Sequence, residues 1–346
     1  MSLSTDEMID AAKEAHLRYI SEQSKGYSRV KKGKSFSYFN TSGEKITDKN
    51  TIERINKLRI PPAWKDVWIS PTLNTHLQAT GLDDKGRKQY IYHSKWIELS
   101  QESKFDKLID FALSLPKIRN RLSYDLQGNL LDKKKVIATV VWLLQKTFIR
   151  VGNEEYAREN DSFGLTTLRN RHVKVKGSEV KFHFKGKSGV EHLVSVSSPR
   201  VAKTIKQCIE LPGFELFQFV DEKGNKHTID SSDINEYLSD TTKEKITAKD
   251  FRTWGGTTLS AATLYKLGDF VDEKVLKSNL VETVKAVSKH LRNTVAVCRS
   301  YYIHPTIFKS YQEKRLVPHF NYAVTDSSSG LNKEEYKVLT LLQKYS

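Results

Sequence analysis

The segment Leu291 to Pro305 reads Leu-Arg-Asn-Thr-Val-Ala-Val-Cys-Arg-Ser-Tyr-Tyr-Ile-His-Pro, and the pattern before it decides how the chain folds there. Apolar side chains recur at helical spacing at Leu280, Val284, Val287 and Leu291. This spacing puts them on one face, so it predicts a buried helix that ends just before Asn293. A second, short helix then presents Tyr301 and Tyr302 before Pro305 ends it.

Two adjacent tyrosines on a helix are, taken alone, typical of packing, because one ring then lies in the core and the other at the surface. Their chemistry depends on the groups that surround them. A chemical role for Tyr301 or Tyr302 therefore requires polar partners from other parts of the chain.

The composition favours a globular, two-domain protein that binds a polyanion. A chain of 346 residues is long enough for two domains, and 38% hydrophobic residues are enough to give each a core. Lysine and arginine number 57 against 41 aspartate and glutamate, which gives a net charge of +16. The basic residues are spread along the chain, so we expect nucleic acid to be the partner.

Cysteine usage and the N-terminus indicate a cytosolic protein. Cys208 and Cys298 both lie in apolar helical runs, where a buried free thiol is more typical than a disulfide. The segment Met1 to Met8 is acidic and lacks the apolar core of a signal peptide, and no run of about 18 apolar residues occurs. We therefore expect a cytoplasmic protein that is neither exported nor inserted in a membrane.

Residues 1 to 98 are predicted to form a small antiparallel β-rich domain. A helix is predicted over residues 1 to about 25, and strand signals follow from Ile60 to about Trp96. In Lys85 to His93, a period of two puts Gln89 and Ile91 on one face and two tyrosines on the other. This stretch is either an edge strand whose lysines oppose aggregation or a ribbon that contacts a DNA groove, and the two readings are compatible. The DNA-contacting candidates are Lys85, Arg87, Lys88, Gln89, Tyr90 and Tyr92.

Residues 99 to 346 are predicted to form a mostly α-helical domain with a three-stranded sheet, which makes the fold class α+β. A polar linker is expected from about Ser100 to Lys104, and an amphipathic helix from Lys133 to Phe148. Strands are predicted between Leu165 and Val196, with Lys185 to Gly189 as the turn of a hairpin. Further helices are expected at Pro199 to Leu211, Ser232 to Leu238, Thr306 to Leu316 and, after a serine-rich hinge at Ser327 to Gly330, on to Ser346.

A further helix is opened by the capping box of Thr247 and Asp250, and it carries Gly255 and Gly256 in its interior. Glycine inside a helix costs about 1 kcal/mol relative to alanine, so a pair of them predicts that another group approaches the backbone closely. The same helix carries Arg252.

Five polar residues stand out at helix ends, in a turn or inside apolar runs, namely Arg150, Lys187, Arg252, Asn293 and Tyr302. Their order and flanks resemble the type IB DNA topoisomerases of the poxvirus and bacterial branch, whose active sites read Arg, Lys, Arg, His or Asn, and Tyr. The matching segments are Phe148 to Gly152, Gly186-Lys187, Lys249 to Thr253, and Asn293 with Tyr302. The resemblance also includes Arg59 to Trp64 and Lys85 to Tyr92, so it covers nearly the whole chain up to about Phe320.

The resemblance implies that a tyrosine cuts one strand of duplex DNA, that the free end swivels, and that the strand is then resealed. The spacing from Asn293 selects Tyr302 as this tyrosine and leaves a packing role for Tyr301. Positive charge around the target phosphate favours the phenolate, whose ordinary pKa is near 10, and stabilises the transition state.

Each of the other four residues has a role that its chemistry explains. Arg150 and Arg252 can each donate two hydrogen bonds to phosphate oxygens, and Asn293 adds a neutral donor. Lys187 lies in a hairpin turn and is the candidate general acid that protonates the leaving 5′ hydroxyl. Asn293 stands where poxviral and eukaryotic members carry histidine, which excludes a titrating imidazole there and favours the bacterial branch.

No cofactor, nucleotide or metal is expected. A phosphodiester exchanged for a phosphodiester keeps the bond energy, so resealing needs no ATP. Gly186-Lys187-Ser188 looks like the end of a nucleotide-binding loop, but Lys181 stands where that loop has its first glycine. The sequence also lacks a His-Glu-x-x-His motif and a Cys-x-x-Cys pair.

Two other functions stay open at this stage. A tyrosine recombinase or integrase shares the Arg, Lys, Arg, Tyr logic, although Lys249 stands where recombinases favour histidine. A non-enzymatic basic DNA-binding protein, in which Tyr302 only packs, would also account for the charge. The resemblance implies a monomer whose two domains, 1 to 98 and 99 to 346, clamp duplex DNA in the nucleoid, and Lys249 is a further candidate for contact with DNA.

Overall fold

The structure is a computed structural model that describes residues 5–33, 35–322 and 329–346. Its contacts divide the chain into two compact units, Met1–Phe105 and Asp106–Ser346. An antiparallel sheet in the first unit and a mostly helical second unit confirm the mixed helix and sheet class. The domain boundary near residue 98 stays a prediction.

The first unit is built on an antiparallel sheet of five strands in the order β2-β1-β3-β4-β5. Ile55 of helix α2 packs against Val67, Ile69 and Ala79 of the sheet, and these four side chains form its core. The elements are α1 (Thr5–Glu14), β1 (Tyr27–Lys32), β2 (Ser35–Phe39), α2 (Lys49–Lys57), β3 (Lys65–Ile69), β4 (Leu77–Leu82) and β5 (Lys88–Tyr92).

The first helix is shorter than the sequence predicted. It ends at Glu14 rather than near residue 25, and His16 adopts a left-handed conformation with φ 56°. The chain then forms a β-bridge, in which the Arg18 N–H donates to Asn74 O at 2.9 Å and Arg18 O accepts from the His76 N–H at 3.0 Å. This bridge satisfies the backbone groups that a longer helix would have used.

The second unit is mostly helical and contains a three-stranded antiparallel sheet in the order β6-β7-β8. Its sheet strands are β6 (Val173–Lys176), β7 (Glu179–Lys185) and β8 (Glu191–Ser197), and a separate ribbon pairs β9 (Gln218–Val220) with β10 (Lys226–Thr228). The helices from residue 94 onward are α3 (Ser94–Asp125), α4 (Lys133–Thr147), α5 (Glu154–Asn160), α6 (Pro199–Glu210), α7 (Ser231–Thr242), α8 (Ala248–Leu267), α9 (Glu273–Leu291), α10 (Val295–Tyr301), α11 (Pro305–Gln312), α12 (Leu316–Tyr322) and α13 (Lys333–Tyr345).

Two other predicted boundaries are also wrong. The expected linker at Ser100 to Lys104 lies inside α3, because polar residues without glycine or proline do not interrupt a helix. The strands expected from Leu165 begin only at Val173, after two 3-10 turns. The first of these turns is not part of a strand, because the Leu165 N–H donates to Arg150 O at 2.9 Å and not to a neighbouring strand.

Helices α4 and α8 form the centre of the second unit. Val136, Val140, Leu143 and Leu144 of α4 are fully buried, on the face that the sequence predicted. Phe251 of α8 meets Phe111 of α3 edge to face, with the ring centroids 5.0 Å apart. The two helices therefore give a fixed base to the residues that they carry.

The C-terminal helix α13 is part of the second unit. Val338, Leu341 and Leu342 are fully buried, and the guanidinium of Arg119 in α3 binds the Glu335 carboxylate at 2.7 and 2.9 Å. The predicted last helix is thus confirmed. The first two residues of the predicted hinge, 327 and 328, lie outside the described residues.

Both cysteines, Cys208 and Cys298, are buried free thiols, as the sequence predicted. Burial raises the pKa of Cys208 to about 12 and that of Cys298 to about 11, so both thiols are protonated at neutral pH. Within the described residues, no helix combines the length and the apolar composition that crossing a bilayer requires.

Candidate active site

Arg150 lies on a short segment that is fixed on both sides. Phe148 ends helix α4 in a left-handed conformation with φ 52°. Beyond it, Arg150 O accepts from the Leu165 N–H at 2.9 Å, and a Cβ at Gly164 would lie 2.6 Å from the Cα of Gly152. Only glycine permits this close approach, so the backbone beside Arg150 has little freedom.

Arg252 joins three helices at the centre of the site. It is 3% exposed on α8, its Nη1 donates to Phe148 O at the end of α4, and its Nη2 donates to Leu291 O at the end of α9 at 2.8 Å. Backbone carbonyls satisfy these donors without cancelling the charge. Its Nε is buried and has no hydrogen-bond partner in the described part of the chain, so this cation retains a donor for an anion.

Asn293 is held just after the end of α9, where the sequence predicted it. The Asn293 N–H donates to Ser288 O at 3.1 Å, and the Ser288 hydroxyl donates to Asn293 O at 2.7 Å. The Asn293 side chain accepts from Arg150 Nη2 through Oδ1 at 2.5 Å. Its Nδ2 is a buried donor without a well-formed hydrogen bond among the described residues.

Tyr302 follows the short helix α10 and contacts α8 at the paired glycines. A Cβ at Gly256 would lie 2.3 Å from Tyr302 O, and a Cβ at Gly255 would lie 2.3 Å from the ring of Phe148. The close approach predicted from the two glycines is therefore present. The Arg252 guanidinium lies over the Tyr302 ring, with its Cζ 5.2 Å from the centroid.

The pKa of the Tyr302 phenol is lowered from its ordinary value. Burial of the phenol acts to raise this pKa, but the charge of Arg252, the charge of Arg150 and hydrogen bonds from the Arg252 and Asn293 side chains together outweigh that effect. A lowered pKa means that the phenolate, the nucleophilic form, is easier to reach at neutral pH than in a free tyrosine.

The structure separates the two adjacent tyrosines. Tyr302 is half-buried against the core, whereas Tyr301 is 43% exposed. Tyr301 therefore lies outside the core, and the packing role predicted for it stays a prediction. Tyr302 is the C-cap of α10, with φ −127° and ψ 0°, and it is the tyrosine whose ring lies under the Arg252 guanidinium.

The fifth predicted residue, Lys187, is carried by the sheet of the second unit. It is exposed in the 3-10 turn Lys187–Gly189, between β7 and β8, where the hairpin was predicted. Among the described residues it makes no hydrogen bond or ion pair. Four residues of the predicted constellation thus lie together, and the fifth is presented on a turn.

The DNA-contacting candidates of the first unit lie on or beside β5, the last strand of the sheet order. Tyr90 and Tyr92 are 47% and 37% exposed on one face, with their rings stacked at 5.9 Å, while Gln89 and Ile91 are partly buried on the other. The predicted alternation is confirmed. Lys85 is exposed in the preceding turn.

Two of the basic candidates are paired with carboxylates of the same unit. Arg87 Nη2 lies 2.7 Å from Asp83 Oδ2, and Lys88 Nζ lies 2.5 Å from Glu22 Oε1. Gln89 Nε2 also donates to Asp83 Oδ2, at 3.0 Å. Hydrogen bonds from Arg87 lower the pKa of the Asp83 carboxyl to about 2.

Lys249 is exposed in the first turn of α8, three residues before Arg252. The capping box that opens this helix is confirmed, since the Thr247 N–H donates to Asp250 Oδ2 at 2.8 Å. The side chain of Lys249 is therefore presented at a well-defined helix start, on the same helix as a buried arginine of the site.

Sequence analysis missed His192 and Arg292, which lie next to the predicted residues. His192 on β8 is 4% exposed, and Arg292 donates to the carbonyls of that strand. A signal for His192 was present, because Val190, His192, Val194 and Val196 share one face at a period of two. Arg292 was detectable as a basic residue at a helix end where glycine is usual.

The chain is similar to known proteins over most of its length. The family described as the catalytic core of eukaryotic DNA topoisomerase I matches residues 93–321, and the N-terminal domain of bacterial DNA topoisomerase IB matches residues 35–83. The DNA topoisomerase 1B of Acanthamoeba polyphaga mimivirus is 35% identical over 301 residues, covering 83% of this chain and 88% of the viral protein.

The chain belongs to the type IB DNA topoisomerases. The vaccinia virus (strain Copenhagen) DNA topoisomerase 1B is 25% identical over 297 residues, covering 83% of this chain and 90% of its own. A DNA topoisomerase 1 of Daucus carota is 30% identical over 173 residues, covering 46% of this chain and 21% of its own. The chain is therefore a type IB topoisomerase enzyme that relaxes supercoiled DNA, and membership in this family sets aside the recombinase and the non-enzymatic alternatives.

Proposed function

We propose that Tyr302 is the nucleophile of this type IB topoisomerase. The Tyr302 phenol first loses its proton to solvent. The phenolate oxygen then attacks a phosphorus of one DNA strand, a bond forms between that oxygen and phosphorus, and the bond from phosphorus to the 5′ oxygen breaks. The strand then swivels, and the 5′ hydroxyl reverses the exchange. The observation that carries this assignment is the position of Tyr302: the Arg252 guanidinium lies over its ring at 5.2 Å from the centroid, and Arg150, bonded to Asn293 at 2.5 Å, helps to lower the pKa of the phenol.

Arg150, Arg252 and Asn293 stabilise the charge that develops on the phosphate. The Nε of Arg252 and the Nδ2 of Asn293 are buried donors that lack a well-formed hydrogen bond among the described residues, and both side chains interact with the Tyr302 phenol. A phosphate bound beside that phenol would offer these donors oxygen acceptors. Because the two arginines are already oriented by the ends of α4, α8 and α9, they need no rearrangement when the charge appears.

Lys187 donates the proton that the leaving 5′ oxygen needs. Its place in an exposed hairpin turn supports this role, since a general acid must reach the scissile bond from the side of the DNA. The ammonium gives up its proton as the bond from phosphorus to oxygen breaks, and takes a proton back when the 5′ hydroxyl attacks during resealing.

Contacts to the DNA backbone come from exposed basic residues in both units. In the second unit we assign Lys249, and in the first Lys85, Arg87 and Lys88. Tyr90 and Tyr92 from one face of β5, and Gln89 from the other, are the candidates for contact with the bases. The pairs of Arg87 with Asp83 and of Lys88 with Glu22 must open for this contact, so the phosphates compete with carboxylates. Binding then weakens steeply with added salt.

The proposal also includes the oligomeric state of the protein and its association with the chromosome. One chain supplies all five residues of the site, which supports action as a monomer. The net charge of +16 supports association with the chromosome, because it favours binding to DNA at sites of any sequence.

Relaxation of supercoiled plasmid in EDTA without nucleotide tests the assignment of Tyr302. We expect the wild type to relax the plasmid and Tyr302→Phe to be inactive, because the substitution removes only the attacking oxygen and keeps the ring over Arg252. The matched control is Tyr301→Phe, which removes the neighbouring hydroxyl and should relax at close to the wild-type rate. Relaxation by Tyr302→Phe, or its loss in Tyr301→Phe alone, would refute the assignment.

A further inference from the structure

The hairpin that carries Lys187 is joined to the C-terminal end of α9 by the side chain of Arg292. The guanidinium donates from Nη2 to Leu193 O at 2.7 Å and from Nη1 to Glu191 O at 3.4 Å. These carbonyls are two residues apart on β8, the outermost of the three described strands, so both face away from β7. Arg292 therefore binds the free edge of the strand that leaves the Lys187 turn.

The backbone of Arg292 has a conformation that favours glycine. Its φ is 51° at the C-cap of α9, and helices that end in a left-handed residue usually place glycine there. An arginine at this position forms two hydrogen bonds to β8, and a glycine could form neither. Asn293 follows directly, so one residue ends the helix beside a site residue and anchors the hairpin.

His192 supports the same hairpin from within the protein. It lies between the two carbonyls that Arg292 binds, and its ring stacks on Phe184 with centroids 4.7 Å apart. A Cβ at Gly186 would lie 2.6 Å from His192 Nε2, so the ring contacts the residue directly before Lys187. Burial, followed by the charge of Arg292, lowers the pKa of His192 to about 4, which makes the ring neutral at neutral pH.

We infer that Arg292 is a positioning residue for Lys187, which holds the general-acid hairpin at a fixed place relative to Asn293 and the scissile phosphate. The inference rests on the proposed role of Lys187. The Lys187 side chain is exposed and forms no hydrogen bond with the described residues, so its location depends on the backbone of the turn. Without Arg292, the edge of β8 loses its hydrogen bonds to the end of α9. The Lys187 ammonium then lies within reach of the 5′ oxygen for a smaller fraction of the time.

Single-turnover cleavage of two duplexes tests this inference. One duplex has the ordinary 5′ oxygen at the scissile bond, and the other has a 5′ sulfur, which leaves as a thiolate and needs no general acid. The variant is Arg292→Gly, because glycine accepts the left-handed backbone and loses only the side chain. We expect cleavage of the oxygen duplex to slow by about tenfold to a hundredfold, as for a misplaced catalytic group, and cleavage of the sulfur duplex to change by less than about twofold.

Two further variants make the result specific. Arg292→Lys keeps a donor that can reach the β8 carbonyls and should restore most of the rate. Lys243→Gly is the matched control, since Lys243 is also a basic, left-handed C-cap residue, with φ 63° at the end of α7, and should leave both rates unchanged. Adding Lys187→Ala to Arg292→Gly should slow the oxygen duplex no further than Lys187→Ala alone does.

The outcomes separate this inference from the proposed function. If Lys187→Ala slows the oxygen duplex selectively while Arg292→Gly slows both duplexes equally or neither, the positioning role of Arg292 is refuted and that of Lys187 stands. If Lys187→Ala slows both duplexes equally, the general-acid role is refuted, and the inference drawn from it is refuted as well. The sulfur duplex also reports folding, because an unfolded variant cleaves neither substrate.

Discussion

The basic residues at β5 of the first unit and the arginines of the active site differ in the groups that bind their positive charges. At the start of β5, Arg87 and Lys88 are paired with the carboxylates of Asp83 and Glu22. In the active site, Arg252 is bonded to the backbone carbonyls of α4 and α9. A carboxylate satisfies a donor and cancels its charge, whereas a carbonyl only satisfies the donor. The comparison shows that a cation bonded to carbonyls, as at Arg252, keeps its charge, whereas a cation paired with a carboxylate, as at Arg87 and Lys88, has its charge masked.

Replacement of the planar guanidinium of Arg252, which donates hydrogen bonds in several directions at once, should have the largest effect on the rate of DNA cleavage. Arg252→Lys keeps the charge, but an ammonium cannot bond to Phe148 O and Leu291 O while also facing a phosphate in one plane. We expect single-turnover cleavage to fall by about a hundredfold to a thousandfold, as on loss of one oriented donor to a transition state. Arg121→Lys, on an arginine that is paired with Asp125 at 2.6 Å, should cleave at close to the wild-type rate. Equal rates for both variants would contradict the claim that the oriented fork of Arg252 matters.

Removal of one of the two arginine charges should have a smaller effect, which is a shift in the titration of the Tyr302 phenol in the DNA-free protein. Because Arg252 and Arg150 lower its pKa despite burial, the phenol should lose its proton below pH 10, the ordinary value. Arg150→Gln removes one of these charges and should move the titration toward higher pH. The measurement is NMR of tyrosine labelled at the ring carbon that bears oxygen, with the Tyr302 signal identified by its absence in Tyr302→Phe. A titration that Arg150→Gln leaves in place would contradict the electrostatic cause.

The masked charge on β5 should give the smallest effect. Asp83→Asn weakens the ion pair with Arg87, so the guanidinium is freer to meet a phosphate. We expect DNA affinity at low salt to rise by a few-fold and the salt slope to steepen by about one at most. The neighbouring Asp84→Asn removes the same charge from an exposed residue and should change affinity less. If the two variants bind DNA identically, net charge rather than the freed arginine accounts for the change.

Much of the active site could be predicted from the sequence because its residues stand at element ends. Helical spacing located the end of α9 and therefore Asn293, and the paired glycines of α8 indicated a close contact that proved to involve Tyr302 and Phe148. Patterns of this kind record which face of an element is buried, and burial decides where element ends meet.

The remaining features depend on contacts between distant segments, which periodicity does not record. The early end of α1 follows from the bridge of Arg18 with Thr75, and the position of Tyr302 follows from its contact with Gly256 of α8. Arg292 is the clearest example of such a contact. Its role depends on carbonyls that are about a hundred residues away in the chain and that come within reach only when the chain folds.

The central claim is that the Tyr302 oxygen forms a bond to DNA phosphorus, and peptide mapping of the trapped adduct tests it most directly. Cleavage of end-labelled duplex is stopped with detergent, the DNA is digested with nuclease, and the protein is digested with a protease. Fragmentation mass spectrometry then locates the retained nucleotide. The account predicts a nucleotide on Tyr302 and none on Tyr301, with no adduct in Tyr302→Phe. A nucleotide on any other residue would contradict it.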